Sequence, residues 1–85
     1  MAGRSYKTEK VVPLAALSPW EKGIILRLPE DWLLVRRLAA CGLLPGVEVV
    51  VQRRQPAYII QAGAARIALD RRTAAGIMVL TGGEQ

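Results

Sequence analysis

The hydrophobic pattern along the chain predicts five short β-strands. Apolar and β-branched residues alternate with polar ones, or run together, in stretches bounded by glycine, proline or charged residues. These stretches are Ile24–Leu28, Val47–Gln52, Tyr58–Ala62, Ala65–Leu69 and Ile77–Leu80. The alternation is clearest in the second stretch, where every other residue is a valine, so that one face of that strand is predicted to be buried.

One helix is predicted between the first and second strands. It begins after Asp31, whose side chain can accept hydrogen bonds from free helix amides, runs from Trp32 to Ala40, and ends before Gly42. At 100° per residue, one side of this helix is predicted to face the core, and it carries Leu34, Val35, Leu38, Ala39 and Cys41. The other side is predicted to face outward and carries Leu33, Arg36, Arg37 and Ala40.

Short helical turns are predicted at Pro13–Leu17 and after Asp70, and a turn with positive φ is predicted at Gly46, which follows Pro45. Closing a sheet on itself removes exposed strand edges that so short a chain cannot otherwise cover. We therefore expect a mainly β fold: a small SH3-like barrel of five strands, with one α-helix after the first strand and short helical turns.

The length of 85 residues limits the chain to one domain. We expect a flexible basic tail over residues 1–10, the folded domain over 11–81 and a loose end over 82–85. No apolar run approaches the ~18 residues that a membrane-spanning helix needs, so direct insertion into a membrane is not expected. A lone Cys41 without histidine excludes a disulfide framework and a four-ligand zinc site, which favours a reducing, cytoplasmic location.

Candidate catalytic chemistry is scarce in this sequence. Without histidine, Cys41 has no obvious general base, and its place on the inward side of the helix predicts a buried, inert thiol. The carboxylates lie mostly in turns and caps, and the adjacent pair Glu30 and Asp31 offers at most a weak site for a divalent cation. No phosphate-binding glycine motif is present. We therefore expect no enzymatic activity, no cofactor and no resident metal.

The net charge of +5 suits an acidic protein surface, an anionic lipid or a nucleic acid. Much of the basic charge comes as the pairs Arg36–Arg37, Arg53–Arg54 and Arg71–Arg72. Proteins that bind single-stranded nucleic acids also use aromatic residues to stack on the bases. Both tryptophans of this chain, Trp20 and Trp32, are instead expected to pack in the core or as a lid over it. A small basic barrel that binds nucleic acid is therefore the alternative rather than the leading interpretation.

The turn sequences resemble those of the FeoA family, small SH3-like proteins of bacterial ferrous iron uptake. The strongest match is the segment RLAACGLLPGVEV at residues 37–49, which is similar to the family's helix, turn and strand. Supporting segments are LAALSP at 14–19, RRQP at 53–56 and IALDRRTA at 67–74. The resemblance implies a non-catalytic cytoplasmic accessory protein that docks on and modulates FeoB, the membrane Fe²⁺ transporter with a GTP-binding domain.

The outward side of the helix and the turn that follows it are the predicted docking surface. Leu33 lies beside two arginines, and an apolar centre ringed by cations is typical of protein interfaces. The predicted partner-binding residues are Leu33, Arg36, Arg37, Leu43, Leu44, Arg53 and Arg54. A competing reading is that Leu43 or Leu44 covers the end of the barrel, and self-association through a sheet edge or the apolar turn is a third hypothesis.

Overall fold

The computed structural model describes residues 9–82, which form six strands and three helical segments. The strands are β1 (Glu9–Pro13), β2 (Lys22–Arg27), β3 (Glu48–Arg53), β4 (Tyr58–Ala62), β5 (Ala65–Leu69) and β6 (Met78–Gly82). The helices are α1 (Trp32–Ala40) and α2 (Arg71–Gly76), and a single 3₁₀ turn spans Leu14–Ala16. In residues 9–82 no helix has the length and apolar character required to cross a membrane.

All six strands form one antiparallel sheet in the order β1-β6-β2-β3-β4-β5. The mainly β fold class is thus confirmed, with six strands rather than the five expected. In this order β1 and β5 are the edge strands, so backbone hydrogen bonds do not join the two ends of the sheet. The sheet and the helical segments enclose one hydrophobic core, to which β2 to β6, α1, α2 and the 3₁₀ turn contribute buried residues.

The extra strand is β1, which pairs with β6 from Glu9 opposite Gly82 to Pro13 opposite Met78. Its first three residues are exposed, and its apolar residues before Pro13 are only Val11 and Val12, too few to give the pattern by which the other strands were predicted. Glu9 and Lys10 therefore belong to the sheet and not to the expected tail, and Gly82 belongs to β6. The rest of the predicted tail and loose end, residues 1–8 and 83–85, lies outside the described residues.

The predicted turns and caps are present in the structure. Gly46 has φ of +94°, and the amide of Val47 donates to the carbonyl oxygen of Leu44 at 3.1 Å, which closes the turn before β3. At the start of α2, Oδ1 of Asp70 accepts a hydrogen bond from the Thr73 amide at 2.8 Å. These local features fix where α1 and α2 sit against the sheet.

Candidate protein-docking surface

Helix α1 carries the candidate surface, and its two ends are fixed by side-chain and backbone hydrogen bonds. Oδ1 of Asp31 accepts from the Leu34 amide at 3.2 Å, as the sequence predicts for an N-cap. At the other end, Gly42 has φ of +89° and its amide donates to the Ala39 carbonyl at 2.9 Å, while the Leu43 amide donates to the Leu38 carbonyl at 2.9 Å. This pair of bonds is a Schellman motif.

The Schellman motif shows why one predicted docking residue is wrong. Leu43 follows the left-handed Gly42, and the motif folds it back toward Leu38, its partner in the last turn of the helix. Both leucines are members of the buried core, and Leu43 has no exposed surface. It therefore cannot contact a partner protein. Leu44, the next residue, is 45% exposed.

The outward side of α1 is an exposed surface of mixed apolar and cationic character. Leu33 is 68% exposed, and it lines a shallow hollow together with Arg36, Arg37 and Ala40. Trp32, 71% exposed, lies on the same side, and the guanidinium of Arg36 lies over its ring at 5.9 Å from the centroid. We call these five residues the helix surface. The helical periodicity of 100° per residue thus correctly predicted which side of α1 faces outward.

Trp32 was missed as a member of the helix surface, because both tryptophans were expected to pack in the core or as a lid over it. That expectation is wrong: Trp32 and Trp20 are both largely exposed. The signal that identifies Trp32 was present in the sequence, since residues four apart lie on the same side of a helix and Trp32 precedes Arg36 by four. Trp20 lies in the turn before β2, where no helical periodicity indicates its direction.

The prediction of a buried Cys41 is also wrong, because the structure places this thiol at the surface. Cys41 is the C-cap, with φ of −90° and ψ of 1°, and so it lies beyond the last residue of regular helix. The rotation of 100° per residue, which assigned Cys41 to the inward side, applies only within the helix. Cys41 lines a concavity between α1 and β5, together with residues that include Arg37 and Ile67.

The predicted residues Arg53 and Arg54 lie in a different concavity from the helix surface. This concavity, here called the arginine cleft, lies between the end of β3, the turn before β2 and the start of α2. It is lined by Pro19, Gln52, Arg53, Arg54, Gln55, Tyr58 and Arg71. The structure therefore does not bring the predicted docking residues together. Leu33, Arg36 and Arg37 share the hollow on the helix, and Arg53 and Arg54 line the arginine cleft. Leu44 lines neither of these concavities, and Leu43 is buried.

A second exposed apolar group lies on the outer face of the sheet. Val11 in β1 and Ile24 in β2 both pair in register with Leu80 in β6, which lies between them. Val11 and Ile24 are exposed and Leu80 is half-buried. This row crosses the sheet next to the edge strand β1, where a self-association surface was among the hypotheses.

The acidic residues of the described chain do not gather into a metal site. Among residues 9–82 no three histidine, cysteine, aspartate or glutamate residues are placed to hold an ion together. Asp31, the candidate with Glu30 for a weak cation site, is engaged as the α1 cap. Hydrogen bonds from Thr73 lower the pKa of the Asp70 carboxyl below its ordinary value of 3.8, and the nearby Arg72 and Arg37 lower it further.

Fold and surface together define a small, mainly β, SH3-like domain that exposes apolar and cationic side chains on one side of a helix. A family model, that of the FeoA domain, matches residues 12–80. The chain therefore belongs to the FeoA family, which is linked to ferrous iron transport. No similar sequence was found among curated proteins.

Solved structures share the fold. An iron uptake regulatory protein, FeoA, is 31% identical with a TM-score of 0.76, and the match covers 82% of this chain and 95% of that one. FeoA of Stenotrophomonas maltophilia, solved with zinc and described as an SH3-domain protein and a candidate ferrous iron transport activating factor, is 23% identical (TM-score 0.68; 78% and 86% covered). A manganese-dependent transcriptional repressor is 20% identical (TM-score 0.78; 87% and 43% covered).

Proposed function

We propose that this protein is a non-catalytic cytoplasmic accessory of ferrous iron uptake that docks on a FeoB-type transporter through the helix surface. Membership of the FeoA family supports the link to iron transport. The observation that carries the docking site is the exposure of Trp32 and Leu33, two large apolar side chains in adjacent positions, next to Arg36 and Arg37. We expect the transporter to bind this surface with its cytoplasmic part.

The composition of the helix surface favours a protein partner. Tryptophan and arginine are enriched among the residues that contribute most to binding at interfaces. Removing Leu33 or Trp32 from water contributes roughly 1.5–3 kcal/mol for each side chain that becomes fully buried. The two arginines at the rim present planar guanidinium groups that bind carboxylates with two hydrogen bonds. The complementary surface on the partner therefore has an apolar centre and acidic residues around it.

The helix surface is ordered before it binds a partner, because both ends of α1 are capped and its opposite side packs on the core. Asp31 fixes the first turn of α1, and the Schellman motif fixes the last. On the opposite side, Leu38 is buried in the core and Leu34 and Val35 are half-buried. A surface that is already ordered loses little conformational entropy on binding, which supports docking without rearrangement. The protein then acts on the transporter by occupying a site and not by chemistry.

A pulldown of the FeoB-type transporter with paired variants tests this proposal. Leu33→Asp combined with Arg37→Glu places negative charge in the helix surface, and we expect it to abolish recovery of the transporter. The matched control is Val11→Asp combined with Arg66→Glu, which likewise changes an apolar residue to aspartate and an arginine to glutamate, at exposed positions on β1 and β5. The control is expected to bind as the unmodified protein does. Circular dichroism and thermal melting show that both variants are folded.

The same variants separate docking from the other two hypotheses. Equal recovery of the transporter by both variants would eliminate the helix surface as its site. Binding to DNA or RNA that weakens steeply with salt and is independent of sequence would favour the small basic barrel that binds nucleic acid. A sedimentation coefficient that rises with protein concentration in the unmodified protein, but not in the control with Val11→Asp and Arg66→Glu, would favour self-association through the outer row of Val11, Leu80 and Ile24.

A further inference from the structure

We propose that the arginine cleft is a second binding site, distinct from the helix surface, and that it takes the phosphate groups of a small ligand. Three arginines, Arg53, Arg54 and Arg71, line one concavity. They come from two parts of the chain, the end of β3 with its following loop and the first residue of α2. The inference is independent of docking on a transporter, because it concerns different residues on a different part of the surface.

Arg54 is held in place by two contacts before any ligand arrives. Its Nη2 donates to the carbonyl oxygen of Ala15 at 3.1 Å, and its guanidinium lies over the ring of Tyr58 at 5.8 Å from the centroid. Tyr58 is itself buried, and its hydroxyl donates to the same carbonyl at 3.3 Å. Because an arginine has five N–H donors, most of those of Arg54 remain available to an anion.

A β-bulge directs Arg53 outward. In the pairing of β3 with β4, Val51 lies opposite Ile60, but Arg53 lies opposite Ile59, so Gln52 is an extra residue. Regular alternation would turn Arg53 to the same face as the buried Val51. The bulge instead places it on the face of Ile59, where it is exposed. The irregularity thus brings Arg53 to the surface immediately before Arg54.

The charge of the cleft favours a phosphate group over a carboxylate. No carboxylate lines the cleft within residues 9–82; apart from Tyr58, its other polar side chains are the amides of Gln52 and Gln55. One arginine can satisfy one carboxylate with two hydrogen bonds, whereas a phosphate carries up to two charges and three acceptor oxygens. Three arginines, with no carboxylate among the described lining residues, therefore match a phosphate monoester or a diphosphate.

The backbone beside the cleft is strained. Trp20 follows Pro19, a lining residue, and has φ of +71°, a value that bulky residues rarely adopt. Its amide donates to the carbonyl oxygen of Val51, and the Val51 amide donates to the carbonyl oxygen of Glu21. This pair of bonds ties the turn to β3 just before the bulge. Such strain is found preferentially where structure serves a binding site.

Isothermal titration calorimetry of the full chain tests the proposal. The probes, each titrated separately at about 50 mM salt, are inorganic phosphate, inorganic pyrophosphate and ADP. We expect saturable binding of pyrophosphate, with shifts of the Arg53, Arg54 and Arg71 Nε–H signals in NMR spectra. Arg71→Gln is expected to weaken binding about tenfold or more, because one charge-assisted contact is lost. ADP that binds more tightly than pyrophosphate would assign the ligand to nucleotides, and equal affinity would assign it to phosphate groups alone.

The matched control is Arg36→Gln, which removes the same charge from the helix surface and is expected to leave the affinity for pyrophosphate unchanged. An equal loss in both variants would overturn the proposal, because it would show a response to net charge alone. Absence of saturable binding up to about 10 mM pyrophosphate would also overturn it. So would binding of a single-stranded oligoadenylate without binding of pyrophosphate, since the cleft would then belong to a nucleic-acid surface.

Discussion

The helix surface and the arginine cleft both contain a pair of consecutive arginines, but the neighbours of each pair differ. Arg36 and Arg37 lie beside the exposed side chains of Trp32 and Leu33. In the cleft, Arg53 and Arg54 lie among amides and a buried tyrosine, and Arg54 is held by Ala15 and Tyr58. The first environment suits a large apolar partner with an acidic rim, and the second suits a compact anion.

This comparison teaches that an arginine pair acquires its role from what surrounds it. A planar guanidinium can stack on an aromatic ring, lie at the edge of an apolar contact or bind an oxyanion. The net charge alone does not distinguish these uses. The following substitutions test whether the two regions differ as described.

The largest expected effect distinguishes Leu43 from Leu33. Leu43→Ala removes a side chain that is fully buried in the core, and we expect it to lower the free energy of unfolding by about 2–5 kcal/mol. Leu33→Ala is expected to change the free energy of unfolding by less than about 0.5 kcal/mol, because most of the Leu33 side chain is already exposed to water. Urea denaturation measures both. A large loss in Leu33→Ala would contradict the assignment of this residue to an exposed docking surface.

The turn at Gly46 connects the end of α1 to β3, and so it joins the two regions. Gly46→Val forces a β-branched residue to adopt φ of +94°, and we expect a cost of about 1–3 kcal/mol. Within residues 9–82, apart from the two chain neighbours of Gly46, no atom lies within 4 Å of an added Cβ, so we expect the cost to arise from the backbone conformation. Thermal melting measures the change, and Gly46→Asn, which tolerates positive φ better, is expected to retain more stability.

The two arginine pairs are expected to differ in stability as well as in binding. Arg54→Gln loses the bond to Ala15 and the stacking on Tyr58, and we expect a cost of about 1 kcal/mol. Arg36→Gln loses only its contact with the exposed Trp32 and is expected to cost no more than about 0.5 kcal/mol. Chemical denaturation at matched salt compares them. Equal losses of unfolding free energy in the two variants would contradict the claim that Arg54 is held more firmly than Arg36.

The smallest expected effect concerns Asp70, which precedes the cleft residue Arg71. The pKa of its carboxyl is lowered, mainly by the hydrogen bond from the Thr73 side chain. A lowered pKa in the folded state means that the ionised carboxylate stabilises the fold above pH 3.8, and that this contribution is lost as the pH falls through the lowered value. We expect the stability difference between the unmodified protein and Asp70→Asn to shrink over that acid range. A constant difference would contradict this.

The strands that could be predicted from the sequence are those with a buried face. β4 and β5 have the predicted bounds, and Val49 and Val51 in β3 are fully buried as their alternation requires. Strand β1 could not be predicted in this way, because it lies at the edge of the sheet and buries little of its surface. Its pairing with β6 depends on a partner about seventy residues away in sequence, and a local pattern does not contain that information.

The candidate site was predictable where helical geometry applies and not beyond it. The periodicity of α1 correctly predicted the exposure of Leu33 and Arg37. It gave a wrong result for Cys41, which follows the last residue of regular helix. Leu43 lies beyond the reach of this periodicity, because the left-handed Gly42 redirects the chain, and the competing reading that it covers the end of the barrel agrees with its burial. The association of Arg71 with Arg53 depends on how α2 packs against the rest of the fold, and no sequence pattern places them together.

The pairing of Glu9 with Gly82 also affects how this fold can be joined to other sequences. The two ends of the described segment lie side by side on neighbouring strands. We therefore expect that a short loop can join them, and that the domain can be inserted into a loop of a host protein with little distortion of that host. Circular permutants that open elsewhere, for example at the exposed Gly63 turn, should retain the same sheet.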